Sequence, residues 1–104
     1  MRLPIKTKWG NEVILAQEEW MTLSELNFKD INKGTDYTAY PYEILYYIDE
    51  GMAEVLIAGT TLQWGYGKSI RINPNMKHQI IPISIPLRII KVAKYKANVE
   101  KKLI

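Results

Sequence analysis

One stretch decides the fold of this chain: YEILYYIDEGMAEVLIAGTTLQWGYGKSIRINPNMKHQIIPI, Tyr42–Ile83. It alternates short apolar and aromatic runs with turns built from glycine, asparagine and proline. β-Branched and aromatic residues favour strands, and these turn residues separate them. The predicted strands are Glu43–Asp49, Met52–Ala58, Thr61–Trp64, Ser69–Ile72 and His78–Ile83. Strands this short and this closely spaced predict an antiparallel sandwich or barrel.

The residues before this stretch predict two further strands. Trp9-Gly10-Asn11-Glu12 is predicted to turn the chain into a strand over Val13–Gln17. Trp20–Lys29 alternates between two faces, and only one of these faces ends in apolar bulk. Leu26 and Phe28 lie on that face, so they are predicted to point into the core.

The last strand is predicted over Leu87–Lys96, with Ile90 and Val92 in the core. Ahead of the central stretch, Asn32-Lys33-Gly34 is predicted to turn, with glycine supplying a positive φ at low cost. No segment before residue 97 has a helical period. The fold class predicted is therefore all-β, with roughly eight to eleven strands.

The composition fits a single domain of 104 residues, with an arm over 1–8, a barrel over 9–96 and a tail over 97–104. The chain has no cysteine, which excludes disulfides, thiolate catalysis and cysteine metal sites. No apolar run reaches the roughly 18 residues of a membrane-spanning helix, and the first residues do not resemble a signal peptide. We therefore expect a cytoplasmic protein without a membrane partner. The net charge of +3 is too small for a dense basic patch, so no nucleic-acid partner is expected.

Three short motifs follow one another in the order found in cupins, the double-stranded β-helix family of small barrels. Trp9-Gly10-Asn11-Glu12 is similar to W-G-x-E, Gly51–Val55 resembles G-x-A-x-V, and Leu87–Val92 resembles L-x-I-I-x-V. The resemblance covers Trp9 to Val92. Within that superfamily the chain most resembles the cupin of type II mannose-6-phosphate isomerases. The resemblance implies a jelly-roll-like barrel in which two motifs supply metal ligands.

The second metal motif of the family reads G, five residues, P-x-G-x-x-H. Counted from Gly67, this pattern places the family histidine on His78, the only histidine of the chain. Asn73 stands in place of the proline and Asn75 in place of the glycine. Asparagine adopts the left-handed backbone conformation more readily than most residues, so the turn is predicted to persist.

The first metal motif reads G, five residues, H-x-H, three or four residues, E, six residues, G. Counted from Gly34, its two histidine positions fall on Tyr40 and Tyr42. Counted back from Gly51, its glutamate position falls on Ile44. The interval between these two glycines is two or three residues shorter than the pattern, so this ligand segment is both substituted and shortened.

A divalent metal in a cupin needs several converging imidazoles and a carboxylate. This chain offers His78 and, one position from the expected glutamate, Glu43. A shift of one residue in a strand reverses the face of the side chain, unless a bulge beside Pro41 restores it. We therefore expect no metal and no cofactor. If a metal does bind, His78 and Glu43 are its predicted ligands, and the same two residues are the only acid–base pair that the sequence suggests.

Aromatic residues gather around the predicted cavity. Flat rings with polar tips suit a sugar-like ligand, because the faces stack and the hydroxyls orient it. The alternative is that several of these rings fill the space of the metal and its water. The predicted ligand-binding residues are Tyr40, Tyr42, Tyr46, Trp64 and His78.

Three functions follow from these observations. The first is a cupin that binds a sugar-like or other small polar ligand in a barrel whose usual metal site is largely lost. The second is a sugar-phosphate isomerase of the mannose-6-phosphate isomerase type, which uses Glu43 and His78. The third is a structural or interaction module. A homodimer is expected, because the N-terminal arm and an edge strand need a cover, and Glu43–Asp49 is largely apolar on both faces.

Overall fold

The computed structural model of the protein describes residues 3–95. Within that range the chain forms nine strands. They are β1 (Ile5–Lys6), β2 (Gly10–Gln17), β3 (Met21–Phe28), β4 (Glu43–Glu50), β5 (Met52–Ile57), β6 (Thr60–Gly65), β7 (Ser69–Ile72), β8 (His78–Pro82) and β9 (Leu87–Lys94). No helix in the described part is long and apolar enough to cross a membrane. The predicted tail over 97–104 lies outside the described residues.

The strands form two antiparallel sheets. The larger sheet has the order β1-β2-β3-β9-β4-β7, and the smaller has the order β6-β5-β8. β4 and β5 follow each other along the chain but lie in different sheets, so the chain crosses from one sheet to the other at Gly51. The prediction of an all-β fold is confirmed.

The strands predicted in the central stretch are found within one or two residues, and Ser69–Ile72 has the predicted bounds. The turn predicted at Trp9–Glu12 is wrong, because β2 already begins at Gly10. Gly10 pairs with Phe28, and a Cβ on Gly10 would lie 1.8 Å from the carbonyl oxygen of Asn27. The glycine therefore permits a close approach of two strands instead of a turn.

Inward-facing residues of both sheets form one core. Leu26 and Phe28 are buried as predicted. The prediction for β9 is wrong, because Leu87, Ile89 and Ala93 are buried while Ile90 and Val92 lie partly buried on the other face. Pairing to β3 and β4 decides which side chains of β9 face the core, since Ile89 lies between the buried residues Leu26 and Ile48. The same pairing directs Lys91 inward.

Gly34 anchors the loop between β3 and β4. Its predicted positive φ is not found, and Asn32 adopts the left-handed conformation in its place, with φ 68°. A Cβ on Gly34 would lie 2.0 Å from the carbonyl oxygen of Ile80. The next residue, Thr35, donates its backbone N–H to the same oxygen at 3.0 Å. The loop thus lies directly against β8.

We expect Gly34→Ala to lower the free energy of unfolding by roughly 1–3 kcal/mol, because the new methyl group forces backbone apart. Gly65→Ala is the matched control, since its Cβ would meet only the Met52 side chain at 3.9 Å. Urea unfolding of the two variants measures the difference. Equal stability of both variants would contradict the close approach of Gly34 to β8.

The homodimer remains a prediction, and we predict the outer face of the larger sheet as its contact surface. Leu23 and Leu45 flank Val92 there, beside Ile90 and the 37% exposed Tyr47. An apolar patch of this kind marks an interaction surface. We expect sedimentation to give twice the mass of one chain, and Val92→Lys to give the monomer. Thr61→Lys, on the exposed strand β6, should leave the dimer intact. A monomeric wild-type protein would refute the prediction.

Candidate functional site

A cavity of about 250 Å³ opens into the barrel between the two sheets. Strands β2, β4, β8 and β9 each contribute a polar side chain, and the loop before β4 closes one side. The lining residues are Trp9, Glu12, Leu26, Thr35, Asp36, Thr38, Tyr40, Tyr46, His78 and Lys91. The wall therefore combines aromatic faces with hydroxyl, imidazole, carboxylate and ammonium groups.

His78 and Tyr46 form a buried hydrogen-bonded pair at the base of this cavity. His78 is 2% exposed, and its Nδ1 lies 3.1 Å from the carbonyl oxygen of Met76. A carbonyl only accepts, so Nδ1 carries the proton and donates it. Nε2 is then the acceptor, and the Tyr46 hydroxyl donates to it at 2.8 Å. Both side chains are satisfied while neutral.

Burial keeps this pair uncharged. Burial lowers the pKa of His78, the hydrogen bond to the Met76 carbonyl opposes this effect, and the charge of Lys91 lowers the pKa further. Burial raises the pKa of the Tyr46 hydroxyl, and Tyr40 and Glu12 add to the increase. At neutral pH the cavity therefore presents a neutral imidazole and a neutral phenol.

A second polar group, Glu12 with Lys91, crosses the larger sheet beside this pair. Ser24 donates its hydroxyl to Glu12 Oε2 at 2.7 Å, and Lys91 Nζ lies 3.9 Å from the same oxygen. Nζ also lies 5.2 Å from the centre of the Tyr40 ring. Lys91 pairs with Ser24 on one side and with Tyr46 on the other, so these residues form one polar row across three strands.

Sequence reasoning missed Glu12 and Lys91. The available signal was the alternation Leu87, Ile89, Lys91, Ala93, which places the lysine on the buried face. The isoleucine and valine on either side of Lys91 favoured the opposite phase. Glu12 was missed because it was assigned to a turn, whereas it pairs with the inward-facing Leu26.

The structure brings three of the predicted ligand-binding residues, Tyr40, Tyr46 and His78, to the cavity. Tyr42 lies beside it, with its ring 5.6 Å from that of Tyr40, and lines a neighbouring depression that shares Glu12 and Lys91. Trp64 belongs to the core and contacts the Tyr46 ring edge-on at 6.0 Å. Its indole N–H donates to the Lys68 carbonyl at 3.1 Å, which holds it away from the cavity wall.

Glu43 and His78, the predicted acid–base and metal pair, are not brought together. Ile44, Tyr46 and Ile48 are the buried residues of β4, so Glu43 projects from the other face. There its carboxylate pairs with Arg71 at 3.0 Å. The irregularity of β4 against β9 lies at Ile48 to Glu50 instead of beside Pro41, so it does not reverse the direction of Glu43.

The residues of the cavity do not fit the divalent metal that the family pattern implies. Within residues 3–95, no three histidine, cysteine or acidic side chains are grouped to hold an ion. His78 Nε2 already accepts from Tyr46. The side chains of Tyr40, Tyr42 and Tyr46 add only neutral phenols to this region, and burial raises the pKa of all three.

Comparison with solved structures identifies the fold. An RmlC-like cupin from Shewanella frigidimarina superposes with a TM-score of 0.80 at 15% identity, over 94% of this chain and 88% of that one. A cupin superfamily protein from Desulfitobacterium hafniense superposes with a TM-score of 0.75 at 17% identity, over 81% and 75% of the two chains. The chain has the cupin fold. The polyketide cyclase RemF from Streptomyces resistomycificus shares this fold, with a TM-score of 0.72 at 21% identity over 81% and 63%.

These identities establish the cupin fold alone. No family profile matches the chain. No curated protein matches it in sequence. The solved neighbours include a polyketide cyclase and proteins described only as cupins, so the fold does not fix the activity.

Because His78 is the only histidine of the chain, the pKa of its imidazole can be measured without overlap from other histidines. We expect the His78 imidazole to titrate below its ordinary pKa of 6.5 in an NMR titration of the folded protein. The unfolded chain then binds the proton more readily, so the free energy of unfolding should fall as the pH drops from about 6.5 towards the folded pKa. His78→Gln should remove this part of the pH dependence. A folded-state pKa at or above 6.5 would contradict the neutral pair.

Proposed function

We propose that this cupin-fold protein binds a small polar ligand in the cavity beside His78, with tyrosines in place of the metal site. The observation that carries this proposal is the cavity itself, about 250 Å³ with polar groups contributed by four strands. Its volume lies just below the roughly 300–1,000 Å³ that is typical of drug-sized ligands. A ligand of about one ring therefore suits it best.

The distribution of groups supports a sugar-like ligand. Trp9 and Tyr40 contribute aromatic rings to the cavity wall, against which the apolar side of a sugar could pack. Thr38, Glu12 and Lys91 offer hydroxyl, carboxylate and ammonium groups for its hydroxyls. The same mixture argues against a solidly packed structural module, because burying these groups without a ligand or water would be costly.

A sugar-phosphate isomerase of the mannose-6-phosphate isomerase type is the second candidate. An isomerase needs a base and an electrophile for the developing enediolate. Glu43 cannot serve, but Glu12 and Lys91 line the cavity with His78 and could supply these two roles. Conversion of hexose 6-phosphates by the purified protein, lost in Glu12→Gln, would favour this candidate over simple binding.

We expect at least one member of a panel of sugars, sugar phosphates and nucleotide sugars to raise the melting temperature at millimolar concentration. Ligand at about 100 times its Kd stabilises the folded state by about 2.7 kcal/mol. Tyr40→Ala should remove the shift, because it deletes a ring that lines the cavity. Tyr66→Ala is the matched control, since Tyr66 is 72% exposed. Absence of any shift across the panel would refute the proposed function.

A further inference from the structure

The charges that face the cavity are balanced. Lys91 contributes one cation and Glu12 one anion, while Asp36 at the wall is paired with Lys8. His78 and Tyr46 are hydrogen-bonded to each other as neutral groups. A charged ligand in the cavity would therefore be attracted by one of these two side chains and repelled by the other.

The charged groups of Lys91 and Glu12 lie close together, but their hydrogen-bonding capacity is only partly used. The Lys91 side chain is 15% exposed, and its nearest carboxylate oxygen within residues 3–95 is Glu12 Oε2, at 3.9 Å. This distance is beyond a hydrogen bond, so Glu12 does not use the N–H donors of the ammonium, which also lies 5.2 Å from the centre of the Tyr40 ring. These donors can therefore bind oxygen atoms of a ligand in the cavity. Glu12 Oε2 accepts one bond from Ser24, and the carboxylate has further acceptor capacity.

A hydroxyl group meets both needs at once, because it accepts a hydrogen bond and donates another. Neighbouring hydroxyls on one ring could accept from Lys91 and donate to Glu12. A phosphate or carboxylate could accept from Lys91, but its negative charge would lie against the Glu12 carboxylate, about 4 Å further on. Like charges at this distance in a partly buried site disfavour binding.

We infer that the cavity selects an uncharged polyhydroxy ligand, whose hydroxyls bridge Glu12 and Lys91, over the phosphorylated form of the same molecule. This inference rests on the proposed function and names the ligand class of the same site. It also makes the sugar-phosphate isomerase the less favoured function, because the Glu12 carboxylate would repel the phosphate of that enzyme's substrate.

The test compares glucose, mannose and fructose with their 6-phosphates, at equal concentration and ionic strength, by calorimetry and thermal shift. We expect the wild-type protein to bind a neutral sugar about tenfold or more tightly than its phosphate. Glu12→Gln should weaken binding of the neutral sugar, because a hydrogen-bond partner is altered. It should strengthen binding of the phosphate, because the Lys91 ammonium then acts without the opposing carboxylate. Lys91→Met should weaken binding of the neutral sugar and of its phosphate. Glu54→Gln, on the outer face of β5, is the matched control and should change neither.

Tighter binding of a phosphate than of its neutral sugar by the wild-type protein would overturn the inference while leaving the proposed function intact. No binding of either series would contradict both. If Glu12→Gln fails to fold, the wild-type comparison decides alone. A Glu12→Gln variant that folds, and that keeps the wild-type preference unchanged, would also overturn the role of the carboxylate.

Discussion

The hydrogen bond from the Tyr46 hydroxyl to His78 Nε2 is the constraint on which the site depends. It joins β4 of the larger sheet to β8 of the smaller one, at 2.8 Å and away from solvent. Because the Met76 carbonyl fixes the proton on Nδ1, the imidazole has no free lone pair for an ion. The same contact therefore ties the two sheets together and uses the Nε2 lone pair at the base of the cavity.

The polar row beside this bond shows how the barrel keeps a cavity. Lys91 stands in an otherwise apolar strand and faces inward between Ser24 and Tyr46. An aliphatic side chain at this position would continue the core formed by Ile89 and Ala93. The ammonium instead needs polar neighbours, and Glu12 and the Tyr40 ring meet this need in part. The polar row thus holds open a space that apolar packing would close.

Much of the fold could be predicted from local pattern. The central strands follow from apolar runs between glycine and asparagine turns, and Asn75 adopts the predicted left-handed conformation with φ 64°. His78 could be placed at the cavity because Gly67–His78 resembles a family motif at its first glycine and at its histidine. The predictions that Ile90 and Val92 face the core and that Glu43 lies beside His78 are wrong. Their strands carry apolar residues on both faces, so only pairing with the neighbouring strands decides which face is buried.

The sequence by itself determined an all-β chain with one histidine, no cysteine and seven tyrosines. These facts limit the chemistry of the site whatever the packing, because side-chain identity fixes which atoms can bind. Only the tertiary structure decided which of the polar residues meet. Strand pairing brings Glu12, Tyr46, His78 and Lys91 from four separate strands to one cavity and turns Glu43 away, since the direction of each side chain is set by its register.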